Sequence, residues 1–301
     1  MNKKNKDKNE VVFSSFYKKN YKFLLIIPIL MFVFSLIMIF QTIKVEGTPI
    51  YRDVSLKGGL SAIVEVNSLV SDSELTEILE ENFNQNSFIV SELYDSGIKI
   101  GFIIDTDLDE SSLILFLSDY FKVDFINGEN YSSNFISPSL SNSFFKQAMY
   151  ILLISFALMS GVVFFYFREF VPSFAIVLSA IFDIAVTVGI LNFFNFKVSI
   201  AGIGAFLMLI GYSIDTDVLL TNRLIKERGE DYFEKTFFAF KTGVLMTLTT
   251  LIAGIGALIL TNSQVISEIA LILVIGLLVD FISTWVQNSA ILLWWIEKRN
   301  N

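Results

Sequence analysis

Apolar residues are concentrated in six long stretches of the chain, separated by more polar segments. The stretches cover residues 23–43, 146–167, 171–193, 198–221, 242–261 and 267–296. A helix of about 20 apolar residues spans the ~30 Å of hydrocarbon in a bilayer, so each stretch is long enough to cross it. The first stretch follows a basic tail, as in a signal peptide, but no A-x-A-like cleavage site follows residues 40–43. The pattern therefore predicts six transmembrane helices, the first of them an uncleaved anchor.

Residues 44–145 have a different pattern, with short apolar runs among polar residues. The predicted elements are, in order, a strand at 61–66, a helix from Ser71 to about Asn84, a hairpin of strands at 87–94 and 98–104, a helix at about 109–120 and a strand at Val123–Ile126. The order βαββαβ favours a ferredoxin-like α+β sandwich. Such a fold implies no function by itself, and no catalytic or metal-ligand spacing stands out in it. We expect a structural or binding role for this domain.

The composition agrees with a membrane protein and excludes several kinds of site. Hydrophobic residues make up 53% of the 301 residues, and 31 of them are Phe. The sequence contains no Cys and no His, which excludes disulfides, thiolate and histidine metal sites and a Ser-His-Asp triad. It contains no G-x-x-x-x-G-K-[ST] loop for ATP. We therefore expect a protein that is not an enzyme, with no catalytic residues, cofactor or metal, in which proton transfer depends on carboxylates, Lys or Tyr.

The distribution of basic residues predicts the orientation of the spans. Lys and Arg are frequent in the tail 1–22 and in the loop after the fourth span, and they also occur in the loop after the second span (Arg168) and in the tail 297–301. The loop after the third span has only Lys197, and the loop after the fifth span has no basic residue. Cytoplasmic loops carry this excess, so both termini are predicted to be cytoplasmic in a multi-pass protein of the cell membrane. Residues 44–145 are then extracytoplasmic and residues 146–296 form spans two to six. The outer segment has 17 Asp or Glu against five Lys or Arg, which disfavours nucleic-acid binding.

Four aspartates and three threonines interrupt the apolar pattern of the last four spans. These residues are Asp183, Asp215, Asp217, Asp280, Thr247, Thr249 and Thr250. An Asp at the centre of a span costs roughly 2.5–3.5 kcal/mol on insertion scales, so each carboxylate is a candidate for proton coupling. The threonines are candidates for polar packing or for a proton relay, and their alternative is a hydrogen bond back to the helix's own carbonyls.

The positions of the aspartates distinguish them further. Mostly apolar residues flank Asp183 on both sides, so exposure to water explains Asp183 less well than it explains the other three aspartates. Asp215 and Asp217 are two residues apart and point some 200° apart on a helix, so at most one of them faces a given site. Asp217 could also lie near the cytoplasmic surface and be solvated there, with Arg223 reaching the headgroups.

Five segments in order along the chain resemble the SecF family of protein-export membrane subunits, especially its archaeal form. These segments are LKGGL (56–60), IFDIAVTVGI (181–190), GYSIDTDVLLTNRLIKE (211–227), MTLTT (246–250) and DFISTWVQN (280–288). The resemblance implies a six-span half of an RND-like transporter with one external domain between spans one and two. It also implies pairing with a SecD-like subunit in the lipid bilayer, and action with the SecYE channel on a translocating preprotein. The coupling ion that it implies is H⁺.

The fourth and fifth spans depart from the bacterial pattern of this family. The bacterial Asn-Asp-Thr triplet is replaced by Asp215-Thr216-Asp217, and the resemblance favours Asp215 because it occupies the place of the aspartate in the related SecD motif. No arginine is present in the fifth span, and Lys241 is the nearest cation. Two other functions stay open from the sequence: a scaffold or chaperone of the translocon without proton coupling, and half of an RND-type exporter of small solutes.

Overall fold

The computed structural model describes residues 23–83, 88–95, 98–226, 232–261 and 263–300. The predicted basic tail 1–22, the hairpin turn at 96–97 and the basic Arg228 lie outside these ranges. The elements are, in chain order, α1 Ile26–Glu46, α2 Val54–Lys57, β1 Gly59–Glu65, α3 Asp72–Asn82, β2 Phe88–Asp95, β3 Ile98–Thr106, α4 Glu110–Phe121, β4 Tyr131–Ile136, α5 Pro138–Phe167, α6 Phe170–Phe193, α7 Ile200–Lys226, α8 Tyr232–Leu260, α9 Gln264–Ile282 and α10 Ser289–Asn300. A π-helical segment, Ser283–Asn288, joins α9 to α10.

Within the described residues, six helices are long and apolar enough to cross a membrane: α1, α5, α6, α7, α8 and the continuous helix from α9 to α10. They correspond to the six predicted stretches and support a polytopic helical membrane protein. Two begin earlier than the apolar pattern predicts. Helix α5 begins at Pro138 instead of residue 146, because the Ser137 hydroxyl accepts a hydrogen bond from the Leu140 N–H and proline suits a first helical position. Helix α8 begins at Tyr232 instead of residue 242, and its first turns place the charged Glu234 and Lys235 among aromatic residues.

Helices α6 and α7 form the centre of the helical layer, and the others pack around them. Gly189 of α6 lies against the backbone of Ser35 in α1, where a Cβ would approach the Ser35 Cα to 2.5 Å. This glycine therefore allows two spans to approach closely, as small residues do in membrane helices. Helices α1, α5 and α8 keep apolar side chains exposed on their outer sides, for example Ile37, Phe165 and Leu245. Such surfaces suit contact with lipid or with further helices.

The outer segment forms a four-stranded antiparallel sheet in the order β2-β3-β1-β4, with α3 and α4 packed against it. Ser71 and Asp109 cap the two helices by accepting hydrogen bonds from the N–H groups of Glu74 and Ser112, at 3.2 and 2.9 Å. The alternating apolar positions of the strands meet the apolar faces of the helices in one core, in which Phe102 is fully buried.

The last strand of the outer domain lies elsewhere than predicted. Residues 123–126 do not form a strand, and the fourth strand is Tyr131–Ile136. Val123 and Phe125 pack against the domain core, which accounts for the apolar run without a strand. The backbone there is held by Asn130, whose side chain accepts from the Ile126 N–H at 2.7 Å and donates to the Asp124 carbonyl at 3.0 Å. The predicted strand Val123–Ile126 was therefore wrong, since apolar content alone does not distinguish a packed loop from a strand.

Two connections hold the outer domain to the helical layer. Gly58 adopts φ +90° beside the backbone of Pro138, a position that a side chain could not occupy without strain. Residues 51–53 run alongside Val198 in the loop between α6 and α7. The Asp53 N–H donates to the Val198 carbonyl at 3.0 Å, and the Val198 N–H donates to the Tyr51 carbonyl at 2.8 Å. The outer domain is thus joined to the start of α7, the helix that carries Asp215 and Asp217.

Candidate functional site

Three of the predicted aspartates lie together in the interior of the helical layer. Asp183 comes from α6, Asp217 from α7 and Asp280 from α9, and their exposed fractions are 0, 0 and 1%. We call these three side chains the aspartate cluster. The three carboxylates lie on sides of these helices that are buried in the helical layer.

Asp183 is held by a serine from the neighbouring helix. The Ser213 hydroxyl of α7 donates to Asp183 Oδ2 at 2.5 Å. A bond between two serines joins α6 to the π-helical segment: the Ser179 hydroxyl donates to Ser283 Oγ at 3.0 Å. These bonds fix the side of α6 that faces the cluster.

Asp217 and Asp280 share one hydroxyl partner, that of Thr284, and each has a further polar partner of its own. The Thr284 hydroxyl is within reach of Asp217 Oδ1 at 2.9 Å and of Asp280 Oδ1 at 3.3 Å. The Asn288 side chain donates to Asp217 Oδ1 at 2.7 Å, and the Thr216 hydroxyl approaches Asp280 Oδ2 at 3.2 Å. Neutral hydroxyl and amide groups therefore surround Asp217 and Asp280, and the Thr284 hydroxyl links the two.

The described structure brings no cation to the cluster. Its ion pairs involve other carboxylates, and Lys241 lies exposed on α8, away from the cluster. Arg223 lies partly exposed in the last turn of α7, where the sequence placed it near the headgroups. Asp183 Oδ1 and Asp217 Oδ2 are buried without a hydrogen-bond partner. No group of three or more metal-ligating side chains with metal-site geometry occurs in the described part of the chain. In the described residues the cluster therefore consists of carboxylates with hydroxyl and amide partners.

Asp215 lies outside the cluster, in a groove on the opposite side of α7. This groove of about 240 Å³ is also lined by Tyr212, Thr216, Met246, Thr247, Thr249, Thr250 and Leu277. The hydroxyls of Thr249 and Thr250 donate to the Met246 carbonyl at 2.8 and 3.1 Å, which is the local bonding that the sequence left open for them. Thr247 is buried, and its hydroxyl has no partner.

Asp217 is buried and not solvated, contrary to one expectation from the sequence. Its burial follows from the face of α7 that packs inward, which also buries Ser213, Leu220 and Leu224 at helical spacing. The resemblance favoured Asp215, and the structure brings Asp217 and not Asp215 together with Asp183 and Asp280. The two residues do point to different sides of the helix, as their spacing predicts.

The sequence of the chain also matches known proteins over most of its length. Residues 117–298 match the family described as "Protein export membrane protein SecD/SecF, C-terminal". A protein-export membrane protein SecF of Methanothermobacter thermautotrophicus is 34% identical over 288 residues, which cover 94% of this chain and 95% of that relative. The SecF protein of Methanocaldococcus jannaschii is 32% identical over 93% of this chain and 97% of that relative. The chain belongs to the SecF family. Membership confirms the family predicted from the five sequence segments, and SecF proteins are protein-export membrane proteins.

Solved SecDF structures have the same fold as this SecF-family chain. The crystal structure of SecDF from Thermus thermophilus, a translocon-associated membrane protein, has a TM-score of 0.69 at 20% sequence identity. SecDF in a super-membrane-facing form has a TM-score of 0.62 at 18% identity. The matches cover 93 and 96% of this chain but only 38 and 39% of the SecDF chains. A SecF-family chain of this kind therefore corresponds in fold to part of a longer SecDF chain.

Several residues around the cluster of this SecF-family chain were not singled out from its sequence. Ser179, Ser213, Thr284 and Asn288 each stand four or eight residues from a cluster aspartate: 179 from 183, 213 from 217, and 284 and 288 from 280. Residues four apart share one face of a helix, so a search for polar side chains at this spacing would have found all four. The same search favours Asp217 over Asp215.

Proposed function

We propose that this chain is a subunit of a SecDF-type complex that assists the export of preproteins through the SecYE channel and couples that work to proton movement. The observation that carries the proposal is the aspartate cluster: three carboxylates well inside the spans, with hydroxyl and amide partners and no basic partner among the described residues. One uncompensated Asp costs roughly 2.5–3.5 kcal/mol at a helix centre, and three negative charges close together would also repel one another. The cluster must therefore bind protons, and release of a proton can be tied to a change in helix packing.

A route for these protons is supported by the position of Thr216. This residue lines the groove that contains Asp215, and its hydroxyl also approaches Asp280 in the cluster. Thr216 therefore lies between the groove and the buried carboxylates, and in this proposal its hydroxyl, which also contacts the Ser213 carbonyl at 3.0 Å, relays protons from Asp215. In this proposal Asp215 is the entry group, and the aspartate cluster is the storage site.

The proposed partner is a SecD-like subunit that supplies a second set of spans. Two observations support it: the SecDF chains are much longer than this one, and α1, α5 and α8 expose apolar side chains that a second subunit or lipid could cover. The proposed orientation has both termini in the cytoplasm and the sheet domain outside, on the basis of the basic loops. For the outer domain we propose a ferredoxin-like fold, which the element order βαββαβ and the strand order β4-β1-β3-β2 support.

Export of a preprotein into membrane vesicles tests this function. Vesicles should contain the SecYE channel, the SecD-like partner and either the natural chain or its Asp217→Asn variant, which keeps the size of the side chain. We expect the variant to lose most of the gradient-dependent part of export, at least about tenfold, while gradient-independent export persists. Asp119→Asn, at an exposed site in the outer domain, is the matched control and should behave like the natural chain.

The same assay separates the remaining alternatives. If Asp183→Asn and Asp217→Asn both support full gradient-dependent export, the chain acts as a scaffold and the proton coupling is wrong. If the chain purifies without the channel and without a SecD-like partner, a role in export is contradicted and half of a small-solute exporter becomes the better hypothesis.

A further inference from the structure

A cleft of about 640 Å³ separates the outer domain from the outer ends of the helices, away from the aspartate cluster. One wall is strand β2, from Phe88 through Glu92 without interruption. The opposite wall comes from residues 194–197 after α6 and from the start of α9, including Glu268 and Leu271. Because side chains alternate between the two faces of a strand, an unbroken run of lining residues means that the backbone edge of β2 faces the cleft.

Strand β2 is an edge strand, since β3 is its only partner in the described sheet. The register shows which of its residues have backbone groups free. The Val66 N–H donates to the Ile100 carbonyl at 2.9 Å, so residue 100 and every second residue after it on β3 bond to β1. Residues 101, 103 and 105 then bond to β2, where their partners are Leu93, Ser91 and Ile89.

Phe88, Val90 and Glu92 must therefore direct their N–H and C=O groups away from β3 and into the cleft. An independent contact agrees with this result. The Lys197 ammonium, on the opposite wall, approaches the Phe88 carbonyl at 3.5 Å. The edge thus presents, over about 17 Å of strand, the alternating donors and acceptors that another extended chain can pair with.

The walls of the cleft define the kind of chain that would fit. Four carboxylates line it (those of Asp53, Asp72, Glu92 and Glu268) against one ammonium, that of Lys197. Glu92 is already paired with Lys99, at 2.5 Å, and Glu268 accepts hydrogen bonds from the Ser199 N–H and hydroxyl at 2.7 and 2.6 Å. Burial raises the pKa of Asp53, so the exposed Asp72 contributes most to the negative charge of the cleft. Exposed apolar surface is present as well, since Phe194 lines the cleft and is 70% exposed. A polypeptide with alternating basic and apolar side chains complements both features.

We propose that the cleft binds an extended, basic polypeptide segment as an added strand on the free edge of β2. The added strand receives hydrogen bonds from the N–H groups of Val90 and Glu92 and donates to the carbonyls of Phe88, Val90 and Glu92. Main-chain pairing of this kind is tolerant of sequence, which suits a site for many different exported chains. That identification of the ligand rests on the proposed function, whereas the strand-binding site rests on the cleft alone.

Amide hydrogen exchange of the full chain in nanodiscs tests the proposal without any substitution in the protein. The probe is an eight-residue peptide of alternating valine and lysine with blocked ends. At saturating peptide, exchange at Val90 and Glu92 should slow at least about tenfold, while Ile89 and Ser91, already bonded to β3, should not change. Unchanged exchange at Val90 and Glu92 overturns the proposal.

Binding of control peptides and variants identifies the forces involved. The same peptide with every amide nitrogen methylated keeps its charge but has no N–H donor, and it should bind at least about tenfold more weakly. Equal binding contradicts strand addition. Asp72→Lys should weaken binding about fivefold, whereas Glu81→Lys, the same charge change on α3 outside the cleft, should not.

Two further outcomes keep this proposal distinct from the proposed function. If the co-purified partner subunit slows exchange at Val90 and Glu92 and excludes the peptide, the edge is a subunit interface and the proposal is wrong. Peptide binding needs neither a gradient nor the channel, so normal binding with failed gradient coupling counts against the proposed function only. Failed binding with normal export counts against the cleft only.

Discussion

Carboxylates that are buried or half-buried occur in two different surroundings in this chain. In the aspartate cluster, Asp183, Asp217 and Asp280 lie between helices and have hydroxyl and amide partners. In the outer domain, Asp105 on β3 lies opposite Ser61 and accepts a hydrogen bond from its side chain. Burial raises the pKa of Asp105 to about 6, with the nearby charge of Asp53 adding to the effect. The outer carboxylate therefore offers a test of buried charge that is independent of the membrane.

Replacing Asp105 by Asn should stabilise the outer domain at alkaline pH. Because the folded pKa lies above that of the unfolded chain, the folded state binds the Asp105 proton more tightly. The stability from this proton is fully present below about pH 4 and is lost as the pH rises through about 6. Asp105→Asn should thus gain about 1–2 kcal/mol at pH 8 and little at pH 4.

Thermal unfolding of the full chain in detergent at the two pH values measures this difference. Asp119→Asn, at the exposed end of α4, is the control, and its effect on stability should be the same at both pH values. A variant less stable than the natural chain at pH 8 would mean that ionised Asp105 has favourable partners.

At the residue scale, the family resemblance favoured Asp215, which lies outside the aspartate cluster. The sequence identified Asp183, Asp217 and Asp280 as candidates and separated Asp215 from Asp217 by helical geometry. It did not determine which side of α7 packs inward, because both sides carry apolar residues. The buried residues of α7, which include Ser213 and Leu220, identify the side that packs inward. They can be recognised only from their spacing of three, four and seven residues along the helix.

At the scale of single elements, the six apolar stretches predicted the helices but not all of their ends. Helix α5 extends to Pro138 because of a capping serine, and α8 extends to Tyr232 through turns in which Glu234, Lys235 and Lys241 interrupt the apolar pattern. The π-helical segment Ser283–Asn288 has no signal in hydropathy either. Segments of this type are frequent at functional sites, and here it carries Thr284 and Asn288 to the aspartate cluster.

The close approach of α1 to α6 requires a small residue at position 189. Gly189→Ala should force the two helices apart, because the added methyl group meets the backbone of Ser35. We expect a loss of about 1–3 kcal/mol in the free energy of unfolding. Gly161→Ala on α5 adds the same methyl group in open space and should be neutral or slightly stabilising. Denaturation in detergent compares the two variants, and equal stabilities would contradict the close approach of α1 and α6.

At the scale of the whole molecule, the orientation in the membrane can be measured directly because the natural sequence contains no Cys. A single cysteine at Leu69, which is fully exposed in the outer domain, should react with an impermeant maleimide in intact cells. A cysteine at Lys298, exposed near the end of the last helix, should react only after the membrane is permeabilised. The reverse pattern would contradict the orientation predicted from the basic loops.

The central claim about the whole molecule is that protons pass from the groove at Asp215 to the aspartate cluster. Proton uptake into proteoliposomes that contain the chain and its SecD-like partner tests this claim most directly, with a pH-sensitive dye inside and an acid pulse outside. We predict that Asp217→Asn and Thr216→Val each slow uptake at least about tenfold, while Asp119→Asn does not change it. Unchanged uptake by a folded Asp183→Asn, Asp217→Asn, Asp280→Asn triple variant would contradict the claim.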